Sequence, residues 1–258
     1  MSSIPVLVLL LFAHFAGDFA FQPSGWVEDK MEKGLKSKFL YWHIVVHFFL
    51  NIAILTVGGI TNYGLIAALA LVISIGHFSI DVLKIYYEKN TVDSNRISMQ
   101  KGITFLWDQL LHIFLIILVW RLASEVAPPG DSISSTLWIK GLVVLLGFYI
   151  IIEPASVFID LSTRDWQKVF DPVTGNAGLP NAGKTIGQLE RILALTFLLM
   201  GQYTAIGFLI GAKSVFRFGD LSKGLEHKKT EYILIGTLLS FTTVVAIGLG
   251  VNALLSYL

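Results

Sequence analysis

Apolar runs of membrane-spanning length recur along the chain, and they decide what it can fold into. Six stretches, at about 4–22, 39–59, 63–86, 103–122, 136–158 and 232–256, are long enough to cross a hydrocarbon layer of about 30 Å as helices. Backbone in contact with lipid must satisfy its own N–H and C=O groups, so each span is expected to be helical. The chain is therefore expected to be an all-α polytopic transmembrane protein. Its composition agrees, with only 14% charged residues where a soluble domain has roughly 25%. A net charge of +1 sets up no field that would gather nucleic acid. The absence of cysteine excludes disulfides, thiolate metal sites and cysteine nucleophiles. The first run lacks both a basic leader and a small-residue cleavage pattern, so it is expected to remain as a helix.

Basic residues orient the spans. Lys30, Lys33, Lys36 and Lys38 follow the first, and Lys84, Lys89, Arg96 and Lys101 follow the third, whereas GGITNYG between the second and third has none. The positive-inside bias then places the basic connectors in the cytoplasm and the N-terminus outside a cell (cytoplasmic or inner) membrane. Two membrane units are expected, 1–125 and 126–258, the second with a polar connector at 159–188 and a basic one at 213–230. Because both of those connectors are basic, the segment 190–213 is expected to enter and leave on one side, breaking at Gly201-Gln202-Tyr203. Two arms of about 11 residues would each reach about 16 Å, the length of a re-entrant hairpin arm. A single crossing is the alternative.

Within the first four spans, ionisable residues come in pairs four apart: His14/Asp18, His43/His47, His77/Asp81 and Asp108/His112. Residues at this spacing share one helix face. Counted from the cytoplasmic ends, Asp18, His43, Asp81 and Asp108 lie about 6–8 Å deep and His14, His47, His77 and His112 about 12–14 Å. Imidazole and carboxylate are the donors that zinc, iron or manganese take when thiolate is absent. Ionisable groups in a bilayer are costly and mark function, so these eight residues are expected to ligate one or two divalent transition-metal ions, zinc first, with iron or manganese as alternatives. A metal-free proton relay and structural hydrogen bonding between helices are the competing readings. Gln22, one turn past Asp18, and Gln109 are expected to orient ligands. Lys84, three residues after Asp81, would meet an anionic substrate or snorkel to the interface.

A second polar cluster lies toward the C-terminus, with Lys184, Glu190, Arg191, Lys213 and Arg217. Lys184, Arg191, Lys213 and Arg217 would bind an anionic headgroup, with Glu190 supporting them. The bland alternative pairs Glu190 with neighbouring basic residues at an interface. GLPNAGKT matches the pattern of a phosphate-binding loop, but no buried strand precedes it, so nucleotide binding is not expected.

Several of these segments resemble a family of bacterial membrane proteins grouped only as a domain of unknown function. The resemblance rests on AHFAGDF at 13–19 with Gln22, on His43/His47 and His77/Asp81, and on Asp108-Gln109-Leu110-Leu111-His112. GKTIGQLER, GQYTAIGF, AKSVFRF and EYILIGTLLS extend it into the C-terminal half. It groups the residues and implies no activity.

The functional expectation is a metal-dependent hydrolase acting at the cytoplasmic leaflet on a membrane-associated phospho- or acyl-substrate, with Asp18, Asp81 or Asp108 as general base. Membrane lipids are the expected partners. A metal-ion or proton-coupled transporter and a non-catalytic membrane partner protein are the rivals. A transporter needs access from both sides, and the outer halves of the first three spans carry no ionisable residue.

Overall fold

A computed structural model describes residues 4–91, 98–126, 136–169, 182–215 and 226–258, and among them every regular element is helical, with no strand. The helices are α1 (Ile4–Phe19), α2 (Ser24–Lys33), α3 (Lys38–Val57), α4 (Tyr63–Thr91), α5 (Ser98–Val126), α6 (Thr136–Ile152), α7 (Pro154–Val169), α8 (Ala182–Leu199), α9 (Tyr203–Val215) and α10 (Glu226–Tyr257). Five stretches are long and apolar enough to cross a membrane: Lys38–Val57, Tyr63–Asn90, Met99–Ser124, Leu137–Trp166 and Glu231–Tyr257. The bent pair Ile4–Phe19 and Ser24–Lys36 is a sixth if taken as one span. This is a multi-pass, all-helical membrane protein. The chain divides into two compact units, residues 1–96 with 104–142 and residues 97–103 with 143–258. This division falls within α5 and α6.

The first unit is built inside out relative to a soluble bundle. On α3 the buried residues are Leu40, His43, His47, Asn51 and Leu55, spaced three or four apart, while Trp42, Val45 and Phe49 face outward. That stripe is the face of a 3.6-residue helix, but its buried side is polar and its exposed side apolar. Beyond the histidines, Val6, Leu10, Leu55, Ile60, Ile66, Ala70, Ile73, Ile116 and Val119 form a core of hydrocarbon alone. α3 stops where Gly59 takes φ of 83°. The bonds Gly59 N–H to Thr56 O and Ile60 N–H to Leu55 O close the paired C-terminal cap that a left-handed residue permits. Asn62 Oδ1 then accepts from Leu65 N–H and starts α4.

Two expected boundaries are corrected. The first span ends at Phe19, not near residue 22, because Pro23 pushes its predecessor out of the helical region. The chain then turns by 77° into α2, so that Lys30 and Lys33, expected in a loop, sit on a helix and Lys36 on the short 3-10 turn after it. The polar stretch beginning at Asp160 is likewise helical through Val169, as α7.

In the second unit α8 and α9 form a helical hairpin at the expected break. Gly201 has φ of 70°, and Gln202 N–H to Phe197 O with Gly201 N–H to Leu198 O repeats the cap seen after α3. Eleven residues before Gly201, Glu190 meets Lys213 on the returning arm at 2.5 Å, so the arms run antiparallel. α10 packs on α7 and α8, with Leu195, Leu198, Phe241 and Val244 in a shared core.

Candidate metal centre

α1, α3, α4 and α5 each bring one paired face to the middle of the first unit. His14, His47, His77 and His112 form one cluster of rings, with centroid separations of 3.9 Å for His47–His77, 4.0 Å for His77–His112 and 5.0 Å for His14–His112. His43 lies one turn away along α3, with its Nε2 3.1 Å from His77 Nε2. All five rings are buried. Three of them converge on one carboxylate oxygen. Asp18 Oδ1 lies 3.0 Å from His47 Nε2, 3.3 Å from His43 Nε2 and 3.4 Å from His77 Nε2. Donors held about 2.0–2.1 Å from a tetrahedral ion stand about 3.3 Å from one another. The convergence therefore has the dimensions of a ligand shell. Buried groups of this kind (His14, Asp18, His47 and His77; His43, His77 and Asp81; Asp81, Asp108 and His112) could hold a metal ion.

The carboxylates are held from behind. Lys30 Nζ donates to Asp81 Oδ2 at 2.8 Å, and Lys84 Nζ to Asp108 Oδ2 at 2.9 Å. Gln109 reaches three groups: its amide N–H donates to Asp18 Oδ2 and to Asp108 Oδ2, both at 3.2 Å, and its Oε1 accepts from His14 Nε2 at 3.3 Å. That last bond consumes His14 Nε2 and leaves His14 Nδ1 buried without a partner. Two of the three carboxylates thus face an ammonium group, and Asp18 faces imidazoles and the Gln109 amide instead.

Lys30 is a residue that the sequence reading used only to count charge. Its side chain is 8% exposed, because the bend after α1 lays α2 against α3 and α4 and aims the ammonium inward. Gly17 is a second one. A Cβ there would lie 2.5 Å from His47 Cε1 and 2.6 Å from its Nε2, so the absence of a side chain is what lets the ring reach Asp18. Gln22 lies in the bend, not on the helix, with its amide nitrogen buried and unpartnered. Lys84 also stands over the Phe105 ring at 5.6 Å.

The second cluster is arranged differently. Arg191 is buried, and its guanidinium donates to Ile151 O at 2.6 Å, to Ser156 Oγ at 2.6 Å and to Ser240 Oγ at 3.4 Å. Pro154 interrupts the ladder between α6 and α7, and Gln188 adds a bond to Ile152 O at 3.4 Å. Side chains of a neighbouring helix thus serve carbonyls next to a break within a membrane, with a cation at the negative end of α6. Glu190 pairs with Lys213, not with Arg191. Lys184 is exposed on the first turn of α8, and Arg217 lies outside the described residues.

A family model described as "Protein of unknown function (DUF3307)" matches residues 6–143, a stretch that contains all eight histidine and aspartate side chains of the centre. No curated protein and no solved structure matches the chain.

Proposed function

The chain belongs to the DUF3307 family, and we propose that its centre binds a divalent transition metal, zinc first, for hydrolysis of a membrane-associated phospho- or acyl-substrate. The observation that carries this is the convergence of three imidazole nitrogens on Asp18 Oδ1 within 3.4 Å, inside an apolar helical unit. His14, Asp18, His47 and His77 would hold the ion, with His43 Nε2 beside them, 3.3 Å from Asp18 Oδ1. When bound, it supplies Lewis acidity and lowers the pKa of a coordinated water. Gln109 and Lys84 fix the Asp18 and Asp108 carboxylates, and the proton acceptor is one of Asp18, Asp81 and Asp108. Lys84, a quarter exposed, is the cation placed to meet a substrate anion.

Access supports an enzyme over a transporter. On one side of the histidines, past the neutral Asn51 and Ser74, stands the core of Val6, Leu10, Leu55, Ile66, Ile73 and Ile116, which carries no ionisable group. On the other side stand the aspartates and the lysines. The lysine bias of the connectors orients that polar side toward the cytoplasm of a bacterial inner membrane.

Element analysis of detergent-purified protein is expected to find at least one transition-metal ion per chain. The same protein is expected to release phosphate or fatty acid from mixed micelles of an anionic phospholipid, and a His47→Ala variant to lose both ion and turnover. Wild type that binds no transition metal on reconstitution overturns the proposal.

A further inference from the structure

His112 is set as a ligand that the convergence on Asp18 does not use. Its Nδ1 lies 2.9 Å from the backbone carbonyl of Asp108. A carbonyl only accepts, so Nδ1 carries the hydrogen and Nε2 carries a lone pair. This is how metal-bound histidines are commonly fixed, by a hydrogen bond from the other ring nitrogen. His112 Nε2 is buried and has no hydrogen-bond partner, and the same is true of Asp108 Oδ1. Two buried acceptors without a donor cost free energy unless a cation meets them. Asp81 Oδ1 lies 4.0 Å from His112 Nε2, and Asp81, Asp108 and His112 offer ligand atoms within 4.8 Å of one another.

Asp81 also belongs to the donor group formed with His43 and His77. Its Oδ2 lies 3.8 Å from His43 Nε2. The His77 ring stands between those of His47 and His112, at 3.9 and 4.0 Å. The sets His43–His77–Asp81 and Asp81–Asp108–His112 are therefore adjacent and share a carboxylate, and His77 also belongs to the set around Asp18. From this geometry we infer that the centre is binuclear: a second divalent ion sits on His112 Nε2 and Asp108 Oδ1, and Asp81 bridges it to the first. This rests on the metal-binding reading above and gives the centre a two-ion chemistry, in which paired ions about 3.5–4 Å apart clamp the attacking and leaving oxygens of a phosphoryl or acyl group. The lysines have a defined part in it. Each takes the Oδ2 atom of its aspartate, Lys30 on Asp81 and Lys84 on Asp108, and so turns Oδ1 toward the second ion.

The full chain in detergent would be stripped with chelator, reloaded separately with Zn²⁺ and with Mn²⁺, and analysed for ion content and by electron paramagnetic resonance. Wild type is expected to hold two ions per chain and to give an exchange-coupled Mn²⁺ signal. His112→Ala and Asp108→Asn are each expected to hold one ion, with the uncoupled six-line spectrum. Saturation of wild type at one ion overturns the binuclear inference and leaves the single-ion reading standing. No ion at all overturns both. Two ions without exchange coupling also overturn the inference, because the second would then lie elsewhere. The wild-type measurements decide the matter even if a variant fails to fold.

Discussion

Both units bury a charged group among apolar helices, yet the groups are treated in opposite ways. In the second unit the Arg191 guanidinium meets three acceptors, one of them a carbonyl next to the Pro154 break. In the first, five imidazoles and three carboxylates crowd together, and His14 Nδ1, His43 Nδ1, His112 Nε2 and Asp108 Oδ1 are left without partners. A buried ion is costly in either place. Where every bond is made, the charge is part of the scaffold. Where buried acceptors lack donors, a cation could complete them. Burial alone does not separate the two cases; satisfaction of the remaining lone pairs does.

The contrast breaks most directly through metal content. A His14→Ala/His77→Ala variant is expected to lose the ion held around Asp18 and to show a lower transition-metal content by element analysis, while Arg191→Met keeps the wild-type content. Loss of metal in both would erase the distinction between the units. Arg191→Met is expected instead to lower thermal stability in detergent, on the order of 3 kcal/mol, because a carbonyl and two hydroxyls lose a charged donor. Gly17→Ala sharpens the comparison within the first unit. The added methyl displaces His47, so metal affinity should fall about 10–100-fold, the size of effect seen when a ligand's support is removed. Helix content by circular dichroism should not change. The smallest effect on metal content is expected at the Glu190–Lys213 pair of the second unit. Lys213→Met, which leaves the mostly buried Glu190 carboxylate unpaired, should lower thermal stability and leave metal content untouched.

The centre was legible because its residues obey one helical rule. His14/Asp18, His43/His47, His77/Asp81 and Asp108/His112 are each four apart, so each helix presents its pair on one face, and these faces are the ones that meet. The hairpin was legible through Gly201, which supplies the positive φ that ends α8. Lys30 was not. It lies on a polar helix after Pro23, and no hydrophobic run marks that helix; only the 77° bend turns the lysine toward Asp81. The part played by Arg191 was equally hidden, because its partners, Ile151, Ser156 and Ser240, lie 35 to 49 residues away. Spacing reports neighbours on one helix. It is silent on which carbonyl of another helix a side chain will reach.

The distribution of ligands over α1, α3, α4 and α5 also bears on how the chain is made. Asp18 enters the bilayer with α1, long before Asp108 and His112 leave the ribosome. Until the later helices arrive, no imidazole from another helix shields that carboxylate from lipid. Insertion of an aspartate at the centre of a helix costs about 3 kcal/mol, and each Ile, Leu, Val or Phe returns about 0.3–0.6. The sixteen residues of α1, IPVLVLLLFAHFAGDF, include ten of these four types, enough to offset one aspartate through the wait. The unbroken VLVLLLF run at 6–12 thus carries out a task of biogenesis: it escorts an acidic residue into the membrane ahead of its partners.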